Sequence, residues 1–276
     1  MTVVVGAVSD LGRVRTNNED NYVVLVAPDL PAGLDAVLVV ADGMGGAQAG
    51  EVASGLVVER FTGSFGPDAG PQRIEAGLDL GPVLVRIIQE ANDDVFNAAL
   101  RDPRLHGMGT TVVAAAIAGD RLYLGYVGDS RAYLIDDANI YQLNHDHSWV
   151  AEEVRAGRLT KAEAQHHPRR NVLTRAVGVV SGVEVETQTF DLGAGDHLLM
   201  CTDGLTNLVS ESELLQVLRD GDDPIRAAQK LIQTANDRGS PDNVTVVIAR
   251  YLDRVKAPDR SRETETLPGL PAPRGR

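Results

Sequence analysis

The chain reads as an α+β fold, with two antiparallel sheets packed together and helices outside. Three observations lead there. Short Val- and Leu-rich runs follow one another across turn-type links too short to hold a crossover helix. Segments with helical spacing come in pairs, one in each half of the chain. The 276 residues are 43% apolar, ample for a buried core, but only 4% aromatic. The core must therefore be built mostly from Val, Leu, Ala and Ile.

Taken in order, Tyr22 to Ala27 and Ala36 to Ala41 predict two strands, and the PDLPAG cluster between them predicts a hairpin. Residues 47–62 carry helical spacing, as do residues 82–101, where Pro82 suits a helix start. Four strand-like runs follow: TTVVAAAIA, RLYLGYVG, RAYLID and IYQL. Their links GD, DS and DDAN predict one antiparallel meander. Residues 144–178 are polar, with histidines and basic residues, and read as an excursion between strands, a flap. Strands resume at VEVETQTFDL and DHLLMCT, helices at Glu211–Arg219 and Pro224–Asp237, and VTVVIARYL closes the domain near residue 252. Residues 253–276 are charged and Pro-rich, the composition of a disordered tail.

The net charge is −13, from 26 basic and 39 acidic residues. Such a surface repels phosphate backbones and argues against nucleic-acid binding. Cys201 is the sole cysteine, so a disulfide framework is excluded. The first residues lack the pattern of a signal peptide, and no apolar run approaches the ~20 residues of a membrane span. A cytoplasmic monomer is the expectation.

One pattern carries chemistry. An apolar run ends in Asp and a small residue three times, in VVADGMGG, GYVGDSR and LMCTDGL. A fourth Asp precedes a strand, in GSPDNVTVV. These are Asp42, Asp129, Asp203 and Asp242. A lone aspartate at a strand edge is an ordinary turn former. Four carboxylates gathered at strand ends would repel one another and raise their pKa values unless cations joined them. Hard divalent cations with oxygen ligands suit such a site. Gly43 and Gly204 follow two of the aspartates and permit a tight turn or a close carbonyl approach. In GRVRTNNEDNY, Arg15 offers a planar fork for phosphate oxygens, beside Glu19 and Asp20.

The order GRVRTNNEDNY, VVADGMGG, GMGTTVV, GYVGDSRAY, HDHS, RAVG, CTDGL and SPDNVTVV resembles the bacterial branch of the metal-dependent protein phosphatases, the protein phosphatase 2C type. The resemblance runs from about residue 5 to about residue 251. It implies a central β-sandwich flanked by helices on both faces, a four-layer αββα arrangement. It also implies a centre of two cations, Mn2+ or Mg2+, at one edge of the sandwich. By this resemblance Asp42 bridges the two metals and Gly43 gives a backbone carbonyl. Asp203 and Asp242 complete the direct protein ligands, while Glu19 and Asp20 act largely through water. Asp129, with Asp203, matches a third and weaker metal site, and Arg15 matches the arginine that binds substrate phosphate. The implied activity is hydrolysis of phosphoserine and phosphothreonine on proteins, opposing a Ser/Thr kinase. Two metals sharing a carboxylate lie about 3.5–4 Å apart and activate a water for in-line attack. No covalent phosphoenzyme is needed.

One position departs from part of the family. A histidine proposed as general acid stands two residues after the bridging aspartate in some members, and here that residue is Met44. A water near Asp129 is the expected substitute. His147, in HDHS, reads as a structural hydrogen-bonding residue that fixes a loop. His166 and His167 read as flap surface, and Thr110 and Thr111 as supporting residues. Two other readings stand beside it: a non-catalytic binding module on the same fold, and a phosphatase of small phosphoesters or of one dedicated regulatory protein. Degenerate binding modules usually lose metal aspartates, whereas Asp42, Asp203 and Asp242 are all present here.

Overall fold

Strand β3 (Ala36–Met44) shows how the layers arise. Ala36, Leu38 and Val40 turn to one side and Val37, Val39 and Ala41 to the other, as strand alternation requires. All six are fully buried. The first set joins the core between two sheets, and the second joins a core beneath helices α1 (Ala49–Phe65) and α2 (Gly81–Arg101). Strand β11 (Val244–Leu252) mirrors it in the opposing sheet. Val247, Ala249 and Tyr251 enter the inter-sheet core, while Val244, Val246 and Ile248 pack under α6 (Glu211–Arg219) and α7 (Pro224–Asp237). The expected αββα layering is thus what the chain forms. The computed structural model describes residues 2–45, 48–69, 78–221 and 223–252. The expected tail at 253–276 and the helix start expected at Ala47 lie outside the described residues.

One sheet has the order β1 (Thr2–Asp10), β11, β10 (His197–Cys201), β7 (Arg131–Ile135), β8 (Ile140–Gln142). The other runs β2 (Asp20–Val26), β3, β5 (Val112–Ala118), β6 (Arg121–Val127), β9 (Glu186–Asp191), with the two-residue β4 (Gly109–Thr110) on the end of β3. Every pairing is antiparallel.

Two expectations are corrected. The first strand, β1, was not anticipated. It pairs with β11 along its whole length, from Thr2 opposite Leu252 to Asp10 opposite Val244. The four central runs do not form one meander. β5 and β6 stay together, but β7 leaves them to pair with β10 across the sandwich. The crossing is made by Gly128-Asp129-Ser130. Gly128 has φ 107°, and a Cβ there would lie 2.6 Å from the side chain of Thr111, so this tight crossing needs glycine.

The excursion between β8 and β9 holds two short helices, α3 (Trp149–Arg155) and α4 (Lys161–Gln165). Ser148 caps the first through its hydroxyl, and Thr160 and Glu163 form a reciprocal capping box on the second. A one-turn helix, α5 (Asp203–Thr206), follows β10.

Candidate metal centre

The strand order brings the predicted aspartates to one end of the sandwich. β3 and β6 run in the same direction, each antiparallel to β5, so both deliver their C-terminal ends there. Asp42 lies in the end of β3, and Asp129 follows β6 by two residues. In the other sheet β10 ends at Cys201, just before Asp203, and β11 begins just after Asp242. Asp42, Asp129, Asp203 and Asp242 line one cleft of about 230 Å³ together with Gly43, Glu19 and Arg15. Among the sequence-predicted residues, Asp20 alone stands back from it. Its carboxylate accepts hydrogen bonds from Thr202 Oγ1 at 2.9 Å and Thr245 Oγ1 at 2.8 Å, beneath the cleft floor.

Local contacts hold the floor in place. Thr110 Oγ1 and Thr111 N both donate to the Asp42 carbonyl, at 2.8 and 2.9 Å. The Asp42 amide donates to Thr111 Oγ1 at 3.0 Å, and that hydroxyl also meets Ser130 Oγ at 2.7 Å. Thus the two threonines tie the Asp42 strand end to the crossing that carries Asp129. Gly43 donates its N–H to the Glu19 carbonyl at 3.1 Å. A Cβ on Gly43 would lie 2.1 Å from the Gly50 carbonyl oxygen, so a side chain there would push α1 away. Asn243 accepts from Glu19 N at 2.9 Å and donates to the carbonyls of Leu11 and Asn17 at 3.1 and 3.0 Å. It fixes the loop that presents Arg15.

The electrostatics follow from burial and crowding. Burial, then Asp20, Asp203, Asp129 and Asp242, push the Asp42 carboxyl well above its usual range. Burial and then Asp203 raise Asp129 to about 8. Asp203 is raised by burial and then Asp242, with relief from the Asn207 side chain, which donates to it at 3.1 Å. Asp20 rises to about 7, chiefly through burial, although its two threonine donors oppose the shift. Arg15 answers part of this charge. Its Nε lies 2.9 Å from Asp242 Oδ1 and its Nη2 3.1 Å from Oδ2, with Glu19 at 3.8 Å.

A cleft in which burial and crowded carboxylates raise the pKa values of Asp42, Asp129 and Asp203 is chemically suited to divalent cations. Among the described residues, no three His, Cys, Asp or Glu side chains form a ready-made coordination cluster. The acids ring the cleft instead, which leaves positions for the Gly43 carbonyl and water. Hard cations such as Mg2+ characteristically retain several waters, so this donor set fits.

Other residues take supporting places. His147 is fully buried. Its backbone N–H donates to the Gly128 carbonyl at 2.9 Å, and its Nδ1 accepts from Gly128 N at 3.1 Å. Nε2 therefore carries the proton and donates to Glu186 Oε1 at 3.1 Å. Tyr126 and Arg175 also donate to Glu186, at 2.7 and 3.0 Å. His167 packs its ring 4.8 Å from Trp149 on the excursion. Met44 lines the cleft, and so do Asn171 and Leu173 from the excursion, which sequence reasoning missed. Asp146 was missed too. It accepts three hydrogen bonds from Arg131, of 3.0, 3.1 and 2.6 Å, and both it and Arg131 act on Asp129. No local pattern marks Asn171 and Leu173, and Asp146 lies within HDHS, where nothing local ties it to Arg131 or Asp129.

Comparison with known proteins agrees with this geometry. The protein phosphatase 2C family profile matches residues 14–242. The serine/threonine phosphatase Stp of Listeria innocua is 39% identical over 253 residues, 92% of this chain and 98% of that one. The crystal structure of the Mycobacterium tuberculosis serine/threonine phosphatase PstP/Ppp superposes with a TM-score of 0.80 at 37% identity, over 92% of this chain and 100% of that one. The catalytic domain of PstP in complex with two manganese ions gives a TM-score of 0.77 at 37% identity, over 91% and 99%. Matched by the profile over most of its length and by these relatives over nearly all of theirs, the chain belongs to the protein phosphatase 2C family of metal-dependent serine/threonine phosphatases.

Proposed function

We propose that the chain hydrolyses phosphoserine and phosphothreonine on proteins, reversing the work of a Ser/Thr kinase, with two divalent cations, Mn2+ or Mg2+. The observation that carries this reading is the convergence of Asp42, Asp129, Asp203 and Asp242, drawn from both sheets, on one cleft beside Arg15. Asp42, the Gly43 carbonyl, Asp203 and Asp242 would hold the two cations. Asp129 with Asp203 would hold a third and weaker one. When bound, the cations supply an activated water and neutralise charge on the phosphoryl oxygens.

The remaining work falls to the protein. Arg15 presents a guanidinium fork at the cleft and would exchange Asp242 for phosphate oxygens. Glu19, at the rim, balances Arg15 and can orient water. Asp20 supports from beneath by anchoring Thr202 and Thr245. We take the reaction to need no phosphoenzyme: among the described residues that line the cleft, Thr111 carries the one hydroxyl and none carries a thiol. Cys201 is fully buried in the strand core, and burial pushes its thiol up to about 12. The Thr111 hydroxyl is engaged by Asp42 N and Ser130. Met44 cannot protonate a leaving alkoxide, so we assign that proton to a water held beside Asp129.

Among the described residues no helix is long and apolar enough to cross a membrane. We place the chain in the cytoplasm as a monomer, where phosphorylated proteins would reach it. The direct test measures hydrolysis of para-nitrophenyl phosphate and a phosphothreonine peptide with Mn2+, with Mg2+ and with chelator. Cation-dependent release of phosphate from both is expected. A folded sample that releases none with either metal overturns the reading.

A further inference from the structure

A second and larger concavity, about 1180 Å³, opens directly from the metal cleft. Asp129, Asn171, Asp203 and Asp242 line both, so the two are continuous. One wall is the excursion carrying α3 and α4, and the other is the segment from α5 into the start of α6. Val150, Val154, Leu208 and Val209 give it apolar surface along its length. Its size far exceeds what a phosphate group needs, and its shape runs away from the reacting centre. It suits an extended polypeptide.

The cations of the excursion are sorted in a way that assigns this groove a preference. Three of the six are already engaged. Arg158 forms two hydrogen bonds of 2.6 Å to Glu153, Arg169 lies 5.1 Å from the Trp149 ring, and Arg175 holds Glu186 at 3.0 Å. The other three, Arg155, Lys161 and Arg170, all line the groove, are exposed, and have no ion-pair partner among the described residues. The neighbouring Arg131 is neutralised by Asp146. Apart from the metal-site aspartates and that pair, the only carboxylate among the described lining residues is Glu211 on the far wall. In a chain of net charge −13, this wall is a local reversal of sign.

We propose that the groove takes the peptide flanking the phosphorylated residue, and that Arg155, Lys161 and Arg170 select substrates with acidic side chains beside the phosphosite. This rests on the phosphatase reading and deepens it by naming the substrate class. Exposed ion pairs contribute modestly one by one, but three acting on one peptide add up. The preference is carried by binding, since none of the three residues lines the metal cleft.

The test compares three phosphothreonine peptides of one sequence, with Glu, Gln or Lys at the flanking positions. Each is assayed on the wild-type enzyme with Mn2+ and on the triple variant R155Q/K161Q/R170Q. Wild type is expected to favour the Glu peptide over the Gln peptide by roughly tenfold in kcat/KM, mostly through KM. The preference should shrink with added salt. In the triple variant it should fall to near unity while turnover of para-nitrophenyl phosphate stays unchanged, which also shows that the variant folds. Equal rates on the Glu and Gln peptides, or a preference that survives in the triple variant, overturn the inference but leave the phosphatase reading intact. Failure to hydrolyse any phosphoester overturns both. Single variants, each with a smaller loss, decide the case if the triple variant does not fold.

Discussion

Asp20 and Asp42 sit directly opposite each other on β2 and β3, yet their carboxylates have opposite surroundings. Cross-strand partners share a face of the sheet, and here that face is the open end of the inter-sheet core. Asp20 accepts from two buried threonine hydroxyls of the other sheet. The Asp42 carboxylate accepts no hydrogen bond among the described residues and faces Asp20, Asp203, Asp129 and Asp242. One carboxylate fastens the sheets together, and the other has no hydrogen-bond donor among the described residues.

Opposite changes in stability follow from that difference. In chelator, Asp42→Asn removes a carboxyl whose ionisation burial and its neighbours oppose, and it is expected to raise the melting temperature. Asp20→Ala strips two buried hydroxyls of their acceptor and is expected to cost about 1–3 kcal/mol. With Mn2+, Asp42→Asn should lose at least roughly a hundredfold in kcat, as removal of one charge-stabilising group commonly does. Melting curves with and without metal, calorimetric Mn2+ titration and kcat check the pair. Asp42→Asn with wild-type metal affinity would contradict its place as the bridging ligand.

Arg15 is expected to act on substrate binding. It is half exposed, lines the cleft itself and is held there by Asp242 and Glu19. Arg15→Ala should raise KM for para-nitrophenyl phosphate by about tenfold or more, through loss of a bidentate phosphate partner. Arg15→Lys should restore little, because an ammonium cannot make the planar two-point contact. Full rescue by lysine would reduce the role of Arg15 to that of a point charge.

The Asp129 proposal separates two substrates. Nitrophenolate leaves without protonation, whereas the alkoxide of threonine needs a proton. Asp129→Asn is expected to slow phosphothreonine-peptide hydrolysis by roughly 10²-fold, the usual scale of general acid catalysis, and to slow nitrophenyl phosphate hydrolysis much less. Steady-state kcat on both substrates across pH tests this. Equal losses on the two would assign Asp129 to metal binding alone.

The site was more legible in the sequence than the topology was. Asp42, Asp129 and Asp203 each end an apolar run, so a local pattern marks them and the fold has only to bring the strand ends together. The partners that hold them are not local. Thr202 and Thr245 reach Asp20 from 182 and 225 residues away in sequence, and Asn243 fastens Glu19 from 224 away. The route from β6 to β7 shows the same limit. Gly128-Asp129-Ser130 has the composition of a hairpin turn, and its own residues do not reveal that β7 pairs with β10. The crossing is held by His147, in a different segment, which grips both backbone groups of Gly128. β1 escaped notice because its Val-rich segment finds its partner, β11, only at the far end of the domain.

That grip predicts a pH dependence. Burial, and then Arg175, hold the His147 pKa below its usual value, while Glu186 opposes them. The folded chain therefore keeps His147 neutral, with Nδ1 free to accept from Gly128. Below the unfolded value of about 6.5 the unfolded state binds a proton that the folded state does not. Stability from this residue is full above that pH and declines as pH falls through it. Glu186, depressed to about 2 with its Tyr126, His147 and Arg175 partners, stays ionised throughout that window and adds no slope of its own there. His147→Gln does not titrate, so the comparison isolates the effect. At pH 7.5 the variant should be less stable than wild type by about 1–3 kcal/mol, through the weakened hold on Gly128. At pH 5 the gap should narrow, because wild type has lost stability that the variant never had. Thermal melts in chelator at both pH values measure it. An unchanged gap would mean that His147 titrates alike in the folded and unfolded chain, and that the neutral clamp on the Asp129 crossing is not what burial maintains.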